Sequence, residues 1–178
     1  LFTLIIDVSV GIFVSIIQRQ RNIIQEQELI NQYSYIIEYM SRSIRTAIKD
    51  EAGNCLVSGE TSYPGGHYLL TRYDSDSNSY RGIKFIGKTG MCYEFFLDTD
   101  GVFKQSKSGA AGQAILSEKF TVGSAKFLLN GNSSLQVVSE SSNFQPRVTI
   151  LMKVRTSFDG VQKDRILQTT VSQRNLNI

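Results

Sequence analysis

The first seventeen residues, LFTLIIDVSVGIFVSII, constrain this chain more than any other stretch. Thirteen of them are Leu, Ile, Val, Phe or Gly, and the rest are Thr3, Asp7, Ser9 and Ser15. As a helix they span roughly 25 Å at about 1.5 Å per residue, the lower limit for crossing a bilayer. No basic leader precedes the run, and charge arrives only at Arg19 and Arg21, among helix formers. A cleaved secretory signal has the opposite order, so the segment is expected to be retained. Asp7 is the costly residue within it. A carboxylate inside an apolar helix costs about 3 kcal/mol in a membrane and is kept where it finds a partner or a function. The nearest cation is the α-amino group of the chain or of a neighbouring copy, and such a pair would set axial register between packed helices.

From Gln18 to Lys49 apolar residues recur at helical spacing. Ile23, Ile30, Ile37 and Ile44 stand seven apart, with Tyr33, Met40, Ala47 and Ile48 in neighbouring rows. This pattern predicts one dry stripe on a helix otherwise wet. With no Gly or Pro from residue 12 to 52, one continuous helix is expected over about residues 2–49. Its second half offers a face to a globular domain. A coiled-coil stem also suits a seven-residue Ile repeat, but the row beside it mixes Tyr, Ser and Met.

Composition changes near residues 50–53. Of 14 glycines, only Gly11 precedes Asp50. The first fifty residues hold five basic and five acidic side chains, so the +3 net charge of the 178-residue chain lies entirely beyond Asp50. That excess is too weak to indicate nucleic acid. Hydrophobic residues at 41% and charged ones at 20% describe a folded protein. Three parts are expected: 1–24 an apolar membrane or filament-core helix, 25–52 its amphipathic continuation, and 53–178 a globular head.

After Gly53 the period becomes two. Strands are expected at Tyr68–Tyr73, Arg81–Ile86, Cys92–Leu97, Val102–Gln105, Ala125–Leu129, Leu135–Ser139, Val148–Thr156 and Arg165–Gln173. In the strongest, Val148, Ile150, Met152 and Val154 share one face. Asp100-Gly101, Asn130-Gly131 and Asp159-Gly160 are hairpin signals, and Ala110–Glu118 reads as a short helix. The class is α+β, an antiparallel sheet with one face on a long helix.

No catalytic constellation is legible. His67 is the single histidine and follows a Pro-Gly-Gly loop, too few nitrogen and sulfur ligands for zinc. Asp74-Ser75-Asp76-Ser77-Asn78 starts like a calcium loop, then has Ser79 where Gly is needed and Phe85 where Glu is needed, so a polar hairpin tip is expected. Nucleophile elbows, P-loops and dinucleotide fingerprints are absent. Asn132-Ser133-Ser134 fits a glycosylation sequon. The expectation is a non-enzyme without a cofactor or metal.

Phe2-Thr3-Leu4-Ile5 followed by an acid inside an apolar helix resembles the mature N-terminus of type IV pilins and type II secretion pseudopilins. The pattern covers about the first fifty residues. The family's acid, fifth from the Phe, falls on Ile6 here, with Asp7 one place later, and Leu1 precedes the Phe. The resemblance implies cleavage by prepilin peptidase, N-methylation, a charge-neutralising role for Asp7, and filament assembly through Leu1, Phe2, Thr3, Leu4, Ile5 and Asp7. It implies a pilin-like fold, a homopolymeric partner set, inner-membrane assembly machinery with its ATPase, and a subunit held in the inner membrane before joining an extracellular filament. Such filaments serve adhesion, motility, DNA uptake or secretion. A minor pilin or pseudopilin, and a membrane-anchored binding module that does not polymerise, are the competing readings. Cys55 and Cys92 are the only cysteines. Either they are two buried thiols or, as a compartment outside the inner membrane favours, they form a disulfide.

Overall fold

The computed structural model describes residues 2–117, 121–130, 145–158 and 161–174, with the side chains of residues 2–5, 7 and 156–163 outside the description. The class is α+β: one N-terminal helix and a large antiparallel sheet. Helix α1 runs Phe2–Arg45. The chain divides into two compact units, Leu1–Tyr35 and Ile36–Ile178.

The first unit is helical. Its large side chains from Val8 to Ile16 are exposed, as are Ile23, Ile24 and Ile30. The dry stripe expected along Ile23, Ile30, Ile37 and Ile44 is therefore not one stripe. Ile44 is fully buried, whereas Ile23 is 55% exposed. A row spaced by seven drifts by about 20° per heptad around a helix with 3.6 residues per turn, which is enough to carry it off the buried face.

In the second unit the buried helical row is Ile36, Met40 and Ile44, continued by Ala47. These residues follow three- and four-residue spacing, as one face of a helix requires. The ring of Tyr39 stands edge-on to Phe95, with centroids 5.9 Å apart. Its hydroxyl exchanges hydrogen bonds with the amide of Gln105 at 2.9 and 3.2 Å. The helix ends at Arg45, four residues before the expected end. Thr46 turns its hydroxyl back to the carbonyls of Arg42 and Ser43, and the Ile48 amide donates to the Ile86 carbonyl as an isolated bridge. A sheet edge thus takes the backbone groups that another helical turn would have used.

A short hairpin, β1 (Val57–Ser58) with β2 (Thr61–Ser62), precedes the sheet. The sheet contains β3 (Tyr68–Asp74), β4 (Ser79–Ile86), β5 (Cys92–Leu97), β6 (Phe103–Lys107), β7 (Gln113–Ala114), β8 (Thr121–Asn130), β9 (Arg147–Phe158) and β10 (Val161–Ser172). Spatial order is β10-β9-β8-β4-β5-β6-β7, with β3 also paired to β4. All pairings are antiparallel, and β8 meets β4 at one pair, Tyr80 with Phe127. The core is aromatic at its centre, where Tyr68, Phe85, Phe95, Phe103 and Phe127 are fully buried, and aliphatic towards β9, where Val148, Ile150, Met152 and Val154 alternate inward. Full burial of such a side chain contributes about 1.5–3 kcal/mol.

Two sequence expectations fail or fall away. The helix expected at Ala110–Glu118 does not form among the described residues. Strand β7 lies there instead, and a Cβ on Gly112 would come within 2.7 Å of the Phe96 ring, so the chain passes too close for any larger residue. The strand expected at Leu135–Ser139 lies outside the described residues. The Asp100-Gly101 turn forms, with Gly101 at φ 76. Gly131 and Asp159-Gly160 are also outside the description, although Phe158 and Val161 on either side pair.

Candidate functional site

The helical unit presents the most unusual surface. Successive side chains rotate by about 100°, so Val8, Val10, Ile12, Phe13, Val14 and Ile16, each 46–64% exposed, cover most of the circumference. A helix that is apolar all round is stable only where something covers it. The small residues Ser9, Gly11 and Ser15 interrupt this surface where close helix approach is permitted. Phe2, Thr3, Leu4, Ile5 and Asp7 lie on the same helix with side chains outside the description, and Leu1 is outside the described residues. Among the described residues, no helix is long and apolar enough to cross a membrane.

The second feature is the stapled loop after the helix. Cys55 and Cys92 form a disulfide with Cα atoms 5.5 Å apart. It ties the loop to the first residue of β5. Cys55, Leu56 and Leu69 make a small cluster with Tyr63, Ile86 and Cys92 packed on it. Asp50, only 2% exposed, organises this loop. Its carboxylate accepts from the backbone N–H groups of Asn54 at 3.2 Å, Cys55 at 2.8 Å and Leu56 at 2.7 Å. Its own backbone bridges to Gly66. Hydrogen bonds from several amides to one carboxylate are stronger than neutral ones. Sequence reasoning took Asp50 only as a charge near the helix end. The Asp-to-Cys spacing of five was the available signal, and it is not distinctive.

A cleft of about 790 Å³ opens beside the staple, lined by Lys49, Lys84, Glu94, Asn54, Ser106 and Ser108 among others. Two of its carboxylates, Asp50 and Glu94, are engaged. Glu94 accepts from Thr71 at 2.8 Å and pairs with Arg72 at 3.3 Å, and the Arg72 guanidinium lies 4.2 Å from the Phe96 ring centroid. The lining combines charges of both signs with the apolar Ile48, Val57 and Ile86.

The remaining acidic motifs are turns. Asp74 accepts from the Asp76 amide and the Ser77 hydroxyl, a polar hairpin tip as expected. The Ser77 hydroxyl bond, then the backbone bond, hold its carboxyl below the usual range. Lys104 binds both Asp98 at 2.5 Å and Asp100 at 3.0 Å. Its bond is the main cause holding the Asp98 carboxyl low, whereas Asp100 is lowered first by the Val102 amide and then by Lys104. Among the described residues, no group of three or more His, Cys, Asp or Glu is placed to hold a metal.

No family model, curated protein or solved structure matches the chain.

Proposed function

We propose that this protein is the structural subunit of a type IV pilus-like extracellular filament and polymerises through its apolar N-terminal helix. The observation that carries the reading is the exposed apolar circumference from Val8 to Ile16. Burying such a surface yields about 25 cal/mol per Å², and copies of the same helix are a covering of matching chemistry. Before assembly the segment rests in the inner membrane, where Ser9, Gly11 and Ser15 let helices approach. Head-to-tail contacts related by rotation and rise then build an open fibre. Asp7 takes a cationic partner from a neighbouring copy within that core. The helical row Ile36, Met40 and Ile44, with Tyr39 on Phe95, supports a pilin-like packing of helix on head. Prepilin peptidase and an inner-membrane assembly ATPase are the partners this reading requires.

The test is the Asp7→Ala variant, compared with the parent for membrane retention and for incorporation into sheared surface filaments. Normal retention with reduced incorporation is expected, and unimpaired incorporation contradicts the pairing. The cleft beside the disulfide favours one other reading, a membrane-anchored binding module, which predicts that the parent protein never leaves the envelope fraction.

A further inference from the structure

In the register of β4 and β5, Lys84 stands directly opposite Glu94. Opposed residues of unlike charge sit close enough to pair, yet among the described residues no hydrogen bond or ion pair reaches the Lys84 ammonium. Glu94 is drawn to the other side. Its Oε1 accepts from the Thr71 hydroxyl at 2.8 Å and from Arg72 Nε at 3.3 Å. Gly82, opposite Thr71, makes room for that hydroxyl, since a Cβ on it would come within 2.5 Å of Thr71 Oγ1. Lys84 is thereby left to line the cleft of about 790 Å³ beside the disulfide, where Lys49 adds a second cation. Of the other acids in the lining, Asp50 is held by three loop amides and Glu51 is exposed.

We propose that this cleft binds a small organic anion, with its carboxylate or phosphate head held by Lys84 and its apolar body resting on Ile86, Val57 and the Cys55–Cys92 disulfide. The cleft volume lies within the range of about 300–1,000 Å³ that small-molecule sites occupy. Lys84 is half-buried, so its ammonium has given up part of its water, and a charge-assisted hydrogen bond to an anion replaces what was lost. Ile86 follows Lys84 by two positions on β4 and pairs with Cys92. The charged and apolar contacts therefore share one face of the sheet, roughly 7 Å apart along the strand, a separation that suits a head group joined to a ring or short chain. The Ser106 hydroxyl, also in the lining, donates to the Ala110 carbonyl at 2.6 Å and keeps its lone pairs to accept from a ligand hydroxyl. A cationic ligand would meet two lysines, while Asp50 and Glu94 already have their donors. All these groups belong to the unit Ile36–Ile178. The site needs no second copy and stands or falls apart from the filament reading.

The test is an amide chemical-shift titration of the full chain in zwitterionic detergent with benzoate, phenyl phosphate and benzyl alcohol, probes that share a ring and differ in charge. At least one of the two anions is expected to shift the amides of Asn54, Val57, Glu94 and Ser108 saturably, and the tighter of them identifies the head group as carboxylate or phosphate. Benzyl alcohol is expected to bind at least about tenfold more weakly. Lys84→Met keeps the side-chain stem and removes the charge, and it should weaken the anion at least about tenfold. Lys88→Met makes the same charge change at an exposed residue outside the cleft and should leave binding as in the parent. The proposal is overturned by no saturable shift at those four amides with either anion, or by benzyl alcohol binding as tightly as the anions. Equal affinities for Lys84→Met and Lys88→Met overturn it as well, since they would mean a diffuse positive field. If Lys84→Met does not fold, the comparison of the three probes on the parent decides alone.

Discussion

The hydroxyl of Tyr68 donates a 2.7 Å hydrogen bond to the carbonyl oxygen of Ile44, joining the start of β3 to the last turn of α1. The last carbonyls of a helix have no partner within it, and here a fully buried phenol supplies one. Burial pushes the Tyr68 hydroxyl well above the usual phenol range, so it remains a donor throughout the physiological span. Tyr68→Phe keeps the ring against Phe85 and removes only the donor. It should cost about 1 kcal/mol in urea unfolding, with Tyr68→Ala costing about 3–5 kcal/mol. A Tyr68→Phe variant as stable as the parent would show that the hydroxyl contributes nothing.

The disulfide closes a loop between residues 37 apart. Replacing both Cys55 and Cys92 by Ala should lower stability by about 3–4 kcal/mol on the chain-entropy account. Thermal melting of the oxidised and double-Ala proteins measures this directly. A shift below about 1 kcal/mol would mean that the unfolded loop is already restrained.

Asp50→Ala leaves three loop amides without their carboxylate acceptor. A loss of at least about 2 kcal/mol is expected, together with faster amide exchange at Asn54, Cys55 and Leu56. Asp50→Asn, which keeps one acceptor oxygen, should lose less. If exchange at those three amides is unchanged in the Ala variant, the carboxylate does not hold the loop.

Asp164 faces Arg155 across the β9–β10 pair and bonds to it at 2.9 Å, with Lys153 at 2.8 Å. The Arg155 hydrogen bond first, then that of Lys153, pull its carboxyl from the ordinary 3.8 to about 2. A lowered folded value means that the contribution is complete above the ordinary value and fades as the pH falls through about 2. The stability difference between the parent and Asp164→Asn should therefore be constant at neutral pH and shrink from about pH 4 downward. Carboxyl-carbon chemical shifts report the titration itself, and a midpoint near 4 would contradict the pairing.

The β-strands were the most readable part of the chain, because each inward residue is fixed by a period of two. Cys92–Leu97 was bounded correctly, and Val148, Ile150, Met152 and Val154 are all buried. The helix end was not readable. Ile48 continues the apolar spacing, and only the Ile86 carbonyl, 38 positions away in sequence, decides that its amide joins a sheet edge instead. Asp50 was missed for a related reason, since its three partners are backbone groups that carry no sequence signal. The cysteine pairing followed from count and compartment, and its position over Leu56 and Leu69 did not. On the helix, composition identified the apolar run as the surface of interest. The turn of the isoleucine row from buried Ile44 to exposed Ile23 depends on the mismatch between 3.5 and 3.6 residues per turn, which a seven-residue spacing in the sequence does not reveal.

The central claim is that copies of the apolar helix form the core of a fibre. Cryo-electron microscopy of material sheared from producing cells, with mass spectrometry of the same fraction, tests it most directly. The account predicts thin filaments dominated by this chain, with α1 packed at the axis. A chain found only in the envelope fraction, with no filament density containing it, would contradict the account.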